Sequence, residues 1–176
     1  MNKSSLKHPR PHPCTLDEDE LLAQCTLARG RSSGPGGQHR NKVQTQVTLT
    51  HKPTDIGARA GERRSGAENK RVALKRLRLN LAIEYRCPVS DGDTPSALWK
   101  SRVKDGRIVV SESHRDLSTM LAEALDMLSA CDFDHKHAST RLQCTPSQFV
   151  KLLKKHHRAL TRVNADRKAL NLTSLR

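Results

Sequence analysis

Residues 21–50, LLAQCTLARGRSSGPGGQHRNKVQTQVTLT, decide the fold of this chain, because two alternating segments flank a glycine-rich one. In Leu22 to Ala28, apolar and polar residues alternate, which predicts a half-buried strand. Val43 to Thr50 alternates again and predicts a second strand, with Val47 and Leu49 facing inward. The segment between them contains too many Gly and Pro residues for regular structure. The sequence therefore predicts two strands joined by an exposed loop.

The following segment predicts one weaker strand and one main helix. Ile56 to Gly61 gives the strand pattern. Ser65 and Glu68 have the spacing of a capping box, in which Ser65 accepts from a first-turn amide and Glu68 reaches back. The helix that starts there carries apolar residues on one face, namely Leu74, Leu77 and Leu81. We therefore expect an α+β fold, with a small β-sheet packed on one main helix and followed by a helical C-terminal extension.

The C-terminal half predicts a hairpin and several helices. Asp105-Gly106 is a turn signal between Trp99–Lys104 and Arg107–Ser111. Leucines at helical spacing predict an amphipathic helix from Leu117 to Leu128. Residues 134–156 are typical of a helix-turn-helix, which is either a nucleic-acid reader or a plain packed pair of helices. In its second helix Thr145 is the expected N-cap and Pro146 the first residue, whereas Gln143 occupies a turn position where Gly is more usual.

These patterns divide the chain into four segments. Residues 1–14 are expected to be a flexible basic N-terminus, and residues 15–88 the catalytic domain, with Thr15 as the first helix cap. Residues 89–106 form a linker or hairpin. Residues 107–176 form a helical, basic C-terminal extension.

The charge of the chain restricts its function. It has 32 Lys and Arg residues against 18 Asp and Glu, a formal net charge of +14. Such a field recruits polyanions, most commonly nucleic acid. Only 2% of the residues are aromatic, which argues against membrane-surface anchoring and against modules that stack bases on aromatic rings. The remaining possibility is nucleic-acid binding through phosphate contacts and recognition of shape, as expected on structured RNA or a duplex.

The cysteines indicate reduced thiols in a cytoplasmic protein. There are five of them, widely spread and without a CxxC pair, which does not fit a disulfide framework. Cys131, His135 and His137 lie close in sequence, but their spacing matches no closed zinc site, so we expect no metal and no cofactor. The basic N-terminus has no apolar core of a signal peptide. A mitochondrial destination stays open, although three prolines interrupt the helix that a presequence needs.

The glycine-rich loop, Arg31-Ser32-Ser33-Gly34-Pro35-Gly36-Gly37-Gln38-His39-Arg40-Asn41-Lys42-Val43, resembles the GGQ loop of class I peptide-chain release factors. The resemblance covers residues 16–84 and continues at the family's spacing through His51 to Ile56, Arg64-Ser65 and Asn69-Lys70. It implies the family's activity, which is hydrolysis of the peptidyl-tRNA ester inside the ribosome. Arg40 and Gly66 depart from the family's usual residues without touching the tripeptide.

The resemblance also implies the site. Gly36, Gly37 and Gln38 are the expected catalytic tip, with the Gln38 backbone N–H at the oxyanion and its side chain admitting water. A narrow RNA-walled cavity needs a thin finger, and consecutive glycines supply one without Cβ atoms. They also permit backbone angles that let an N–H point at the developing charge. Gln38 is in addition a candidate for N-methylation by a glutamine methyltransferase.

Basic residues around the loop and beyond it are the expected RNA contacts. Beside the loop they are Arg29, Arg31, His39, Arg40 and Lys42. Near the main helix they are Arg64, Lys70, Arg71, Lys75 and Arg78, each equally explained by a solvated helix face. Near the C-terminus they are Lys151, Lys154, Lys155 and Arg158, in a stretch that continues through Arg162, Arg167, Lys168 and Arg176. We interpret that stretch as a ribosome anchor, with a generic solvated helix as the alternative.

The Gly-Pro-Gly-Gly-Gln form is similar to the short, codon-independent ribosome-rescue hydrolases, and the chain has no room for the separate domains that read stop codons. The expected partners are large-subunit rRNA and peptidyl-tRNA. We expect the protein to be a monomer and not to bind a membrane. The alternative is a non-enzymatic RNA- or DNA-binding protein that uses the helix-turn-helix. The sequence leaves open whether the target is a whole stalled ribosome or a split large subunit.

Overall fold

The computed structural model describes residues 11–31 and 44–176, which form two compact units. One unit is Pro13–Tyr85; the other is Arg86–Arg176 together with Pro11 and His12. A small sheet against one long helix, followed by a helical C-terminal region, confirms the predicted fold class. Among the described residues, no helix is both long and apolar enough to cross a membrane.

The division into four segments stays a prediction. Most of the expected flexible N-terminus, residues 1–10, lies outside the described residues. The end of that segment is packed, since Pro13 and Cys14 are buried. All five cysteines are free thiols in this structure.

The unit Pro13–Tyr85 is an antiparallel sheet of three described strands packed on one helix. Its elements are a 3-10 helix (Pro13–Thr15), α1 (Glu18–Ala23), β1 (Cys25–Gly30), β2 (Gln46–His51), β3 (Ile56–Ala60) and α2 (Gly66–Glu84). The strand order is β1-β2-β3, so β2 is central. Helix α2 packs on β2 and β3.

The core of this unit lies between β2, β3 and α2, and it follows the predicted pattern. Val47 and Leu49 are buried, as the alternation in β2 predicts. On α2, Leu77 and Leu81 are fully buried. The helix begins at the predicted cap, because the Ser65 hydroxyl accepts from the Glu68 N–H at 3.5 Å. The reciprocal bond from the Glu68 side chain stays a prediction.

Two boundaries in this unit were predicted wrongly. The first helix is preceded by Asp17, not by Thr15, because Pro13–Thr15 forms its own 3-10 turn. Strand β1 starts at Cys25, since Leu22 belongs to α1. Its residue Leu27 is 44% exposed although it pairs with the fully buried Leu49. Leu27 is exposed because β1 is an edge strand, whereas α2 packs on β2 and β3.

The C-terminal unit is mainly helical. Its elements are α3 (Ala97–Arg102), β4 (Val103–Lys104), β5 (Arg107–Ile108), α4 (Leu117–Ala130), α5 (His135–Arg141), α6 (Pro146–Lys154) and α7 (His157–Ala169). The Asp105-Gly106 turn is confirmed, with positive φ at both residues as this hairpin turn requires. The strand predicted over Trp99–Lys104 is wrong in its first half. Ser96 caps a helix there, and the buried indole N–H of Trp99 donates to the Leu142 carbonyl at 2.7 Å.

The predicted helix pair at residues 134–156 is present as α5 and α6. Thr145 is the N-cap of α6, its hydroxyl accepting from the Gln148 N–H at 3.3 Å, and Pro146 is the first helical residue. Gln143, in the connecting turn, has φ of 56°. This is the left-handed conformation that favours Gly, so the sequence pattern correctly marked the strained position. Whether the pair binds nucleic acid stays a prediction.

His51, the last residue of β2, joins three elements. It is 1% exposed, with Nε2 3.0 Å from the Gln24 Oε1 atom and Nδ1 2.8 Å from the Thr54 Oγ1 atom. Because an amide oxygen only accepts, Nε2 carries the proton and the Thr54 hydroxyl donates to Nδ1. A neutral ring therefore satisfies both bonds. Burial lowers the pKa of His51 below the ordinary histidine value.

This lowered pKa predicts a pH-dependent stability of the unit. As pH falls below about 6.5, the unfolded chain takes up the His51 proton before the folded one does, so the free energy of unfolding decreases until the folded-state pKa is reached. Urea unfolding between about pH 7.5 and about pH 5 measures this slope. We expect His51→Gln to flatten it and His137→Gln, at an exposed position of α5, to leave it unchanged. Equal slopes in wild type and His51→Gln would contradict this account.

Candidate functional site

The predicted catalytic loop leaves the sheet between β1 and β2. Strand β1 ends at Gly30 and β2 begins at Gln46, and these two residues are paired in the antiparallel register. The loop therefore starts and returns at one end of the sheet. The tripeptide Gly36–Gln38 lies outside the described residues, as do His39, Arg40 and Lys42. Their catalytic, RNA-binding and modification roles stay predictions.

The N-terminus of α2 lies at the same end of the sheet. Its fourth residue, Asn69, donates from Nδ2 to the Thr45 carbonyl at 2.6 Å, directly before β2. The Nδ2 atom also donates to the Arg63 carbonyl at 2.9 Å, and Oδ1 accepts from the Arg63 N–H at 3.0 Å. The base of the loop is thus joined to the turn before α2.

This arrangement brings five predicted RNA contacts to the loop end of the domain. Arg29 and Arg31 lie on the outgoing stem of the loop, and both are exposed. Arg64 lies in the turn beside Asn69 and is exposed, while Lys70 follows on α2 and is half-buried. Arg71, one position further, is also exposed. These side chains surround the base of the loop with positive charge, which suits phosphate binding.

Other arginines of this unit hold the fold. Arg76 donates to the Arg59 carbonyl at 2.8 Å and pairs with the Glu62 carboxylate at 2.6 Å. The pKa of Glu62 is lowered, first by the Gly61 N–H that donates to its carboxylate and further by Arg76. Arg78, equally explained from sequence by a solvated face or an RNA contact, donates to the Cys14 carbonyl at 2.6 Å. Its guanidinium is therefore engaged in the domain itself.

The C-terminal basic stretch likewise contains both exposed cations and an arginine that holds the fold. Lys151, Lys154 and Arg158 are exposed, and Lys155 is half-buried. On α6, spacings of three and four residues place Lys151, Lys154 and Lys155 on one face. Arg167, which the sequence grouped with them, is 5% exposed and donates to the carbonyls of Thr173 and Phe133. The anchor prediction is wrong for Arg167, because its guanidinium satisfies buried backbone groups.

One cluster of metal-ligand types exists among the described residues. His12, Cys87 and Asp126 are buried, and their ligand atoms lie within 4.8 Å of one another. The Asp126 Oδ1 atom already accepts from the Cys87 N–H at 3.0 Å and lies 3.6 Å from the Arg86 guanidinium. A cation would have to compete with Arg86 for this carboxylate, so we explain the cluster as structural.

Sequence reasoning assigned no role to Asn69 or His51, although both fall within the resemblance. Each is a fully buried polar residue. A single Asn or His in a helical or alternating pattern carries no signal of its partners. The partners of Asn69, Thr45 and Arg63, are known only from the tertiary structure.

Comparisons with known proteins agree with this geometry. Residues 17–93 match the family model of the RF-1 domain. A stretch of 69 residues is 47% identical to peptide chain release factor 1 of Malacoplasma penetrans, covering 38% of this chain and 19% of that protein. Another 69-residue match, 44% identical, is to an uncharacterized mitochondrial peptide chain release factor-like protein of Saccharomyces cerevisiae, covering 38% of this chain and 43% of that protein.

A third relative is the chloroplastic peptide chain release factor PrfB1 of Arabidopsis thaliana, 38% identical over 81 residues, which are 43% of this chain and 18% of that protein. The chain thus spans less than half the length of these three relatives. The shared part is the unit that bears the loop. Residues 17–93 thus match an RF-1 domain, and these relatives are peptide chain release factors, which together support a GGQ domain of the class I release factor type in this part of the chain.

Proposed function

We propose that this protein is a codon-independent peptidyl-tRNA hydrolase that releases nascent peptides from stalled ribosomes. The observation that carries the proposal is the loop with Gly36, Gly37 and Gln38, set between the paired ends of β1 and β2 in an RF-1 domain. The form Gly-Pro-Gly-Gly-Gln supports the rescue subtype by its similarity to the short rescue factors. The relatives, which are peptide chain release factors, do not favour the alternative of a binding protein without activity.

The proposed reaction needs little from protein side chains. Water attacks the carbonyl carbon of the ester that joins peptide to tRNA, the bond to the ribose oxygen breaks, and the proton reaches that oxygen. The products are a peptide acid and a tRNA with a free hydroxyl. The Gln38 backbone N–H stabilises the developing oxyanion, and its side chain selects water. The glycines permit the approach, because their backbone occupies the least volume.

The proposed partners follow from the charge around the loop. Arg29, Arg31, Arg64 and Arg71 are exposed cations and serve as contacts to phosphates of large-subunit rRNA or tRNA. We propose that the protein acts as a monomer in the cytoplasm, consistent with its five free thiols. N-methylation of Gln38 by a glutamine methyltransferase is part of the same proposal.

The substitution Gln38→Ala tests the catalytic loop. Alanine keeps the backbone N–H but removes the side chain, so we expect peptide release to slow by about 100-fold without being abolished. Ribosome binding should remain nearly unchanged. The matched control is Gln44→Ala. It makes the same change at an exposed position, the first described residue of the return stem. Release is measured on ribosomes that are stalled on mRNA without a stop codon.

Each outcome of this experiment is informative. Release by wild type and Gln44→Ala, but little by Gln38→Ala, supports the proposed enzyme. Equal release by all three variants would contradict the role of Gln38. If none of them acts on whole ribosomes, the test is repeated on isolated large subunits holding peptidyl-tRNA. Binding without release on both substrates would leave the non-enzymatic RNA-binding protein as the better explanation.

We also propose that the exposed face of α6 and the start of α7 anchor the protein on rRNA. Residues 146–176 contain eight Lys and Arg residues and the single acid Asp166. That acid pairs with Arg162 at 3.0 Å on α7. Lys151, Lys154 and Arg158 are exposed cations of the same stretch. A close array of this kind gains affinity by releasing counterions from RNA.

A pair of double variants tests the anchor. We expect Lys151→Gln with Lys154→Gln to weaken ribosome binding and to lower the slope of log affinity against log salt by about 1 to 2. The control, Lys100→Gln with Lys136→Gln, removes the same charge from exposed positions on α3 and α5. It should leave the slope nearly unchanged. Equal effects of both pairs would mean that only net charge matters.

A further inference from the structure

Asn69 uses its side-chain amide to bind three backbone groups. The Nδ2 atom donates to the carbonyls of Thr45, at 2.6 Å, and Arg63, at 2.9 Å. The Oδ1 atom accepts from the Arg63 N–H at 3.0 Å. The residue is 0% exposed. The amide therefore binds both the N–H and the carbonyl of Arg63, as a residue of a neighbouring β-strand would.

These bonds join segments that are far apart in sequence. Thr45 is on the return stem of the loop, directly before β2, and Arg63 is in the turn between β3 and α2. The outgoing stem is already held by the ladder pair of Gly30 and Gln46. The bond from Asn69 to Thr45 adds a second attachment on the return stem. The base of the loop is thereby tied both to the sheet and to the helix.

Only an asparagine-like amide fits these contacts. Asp would accept from Arg63 but would place charged oxygens against two carbonyls, because it has no donor. Ala would remove the partner of three part-buried backbone groups, which destabilises them to the extent that water does not replace the amide. The apolar packing of the domain is provided separately by Leu49, Leu77 and Leu81, which are fully buried. The role of Asn69 is therefore local to the base of the loop.

We propose that Asn69 is a positioning residue for the Gly36-Gly37-Gln38 tip, holding the base of the loop so that the tip reaches the ester in one geometry. This proposal rests on the proposed hydrolase function. Two of the three tip residues are glycines without side chains that could fix them, so the placement of the tip depends on how the base of the loop is attached. Loss of one attachment misplaces the tip while the binding surface of the domain persists. Misplacement of a reacting group by about 1 Å can slow a reaction by about 100-fold.

The test compares Asn69→Asp with two controls. Asn80→Asp makes the same change on the same helix, where Asn80 Nδ2 donates to the Gly57 carbonyl at 2.8 Å. Gly57 pairs with Thr50, near the end of the sheet away from the loop. Leu77→Ala removes core packing without touching the loop base. Asn69→Ser, which replaces the amide with a single hydroxyl, is the milder second variant. All variants are assayed below their measured melting temperatures.

Two readouts separate positioning from general stability. In peptide release we expect Asn69→Asp to lower kcat by about 100-fold with KM changed less than about threefold. In hydrogen exchange we expect faster exchange of peptides covering residues 30–46, with the rest of the unit unchanged. Leu77→Ala should instead raise exchange throughout the unit, and Asn80→Asp should leave kcat near wild type.

Several results would overturn the proposal. One is a loss of kcat in Asn69→Asp that Leu77→Ala reproduces at equal stability. Another is failure of both Asn69 variants to fold while Leu77→Ala folds, which would make Asn69 a determinant of the fold alone. If the wild type releases no peptide, the proposed function fails. Hydrogen exchange then still tests whether Asn69 holds the base of the loop. Unchanged exchange over residues 30–46 in a folded Asn69→Asp protein would then refute it.

Discussion

The packing of helix α2 against strands β2 and β3 determines everything else in the RF-1 domain. Ala58 and Ala60 on β3 are small and buried, as are Leu77 and Leu81 on the helix that packs on this strand. Once α2 is seated, its first turn lies beside the end of the sheet where β1 and β2 separate. Asn69 can then reach Thr45. The burial of apolar side chains thus places the first turn of α2 where Asn69 can attach the base of the loop.

Arginine side chains serve two separate purposes among the described residues. Arg76, Arg78 and Arg167 donate to backbone carbonyls and satisfy groups that would otherwise lack partners. Arg29 and Arg64 are exposed beside the base of the loop. A sequence with a net charge of +14 therefore offers fewer cations to RNA than its composition suggests. Exposed cations among the predicted RNA contacts lie at the loop end of the domain, on α6 and at the start of α7.

The sequence predicted those features that depend on local periodicity. Alternation placed Val47 and Leu49 in the core, and helical spacing gave α2. It failed where tertiary contacts matter. Leu27 alternates correctly but is exposed on an edge strand. Trp99, predicted in a strand, lies in a helix, and its indole N–H donates to the distant Leu142 carbonyl. The positioning role of Asn69 was out of reach, since its partners are distant in sequence. The catalytic tripeptide came from resemblance alone and stays a prediction.

The central claim is that the loop hydrolyses peptidyl-tRNA without reading a codon. The most direct measurement is the rate of peptide release by the wild-type protein from ribosomes whose mRNA ends in the peptidyl site. The same rate is measured with a stop codon placed in the next site. The account predicts release from the truncated complex, with no requirement for the stop codon. Release that occurs only when the stop codon is present would contradict it.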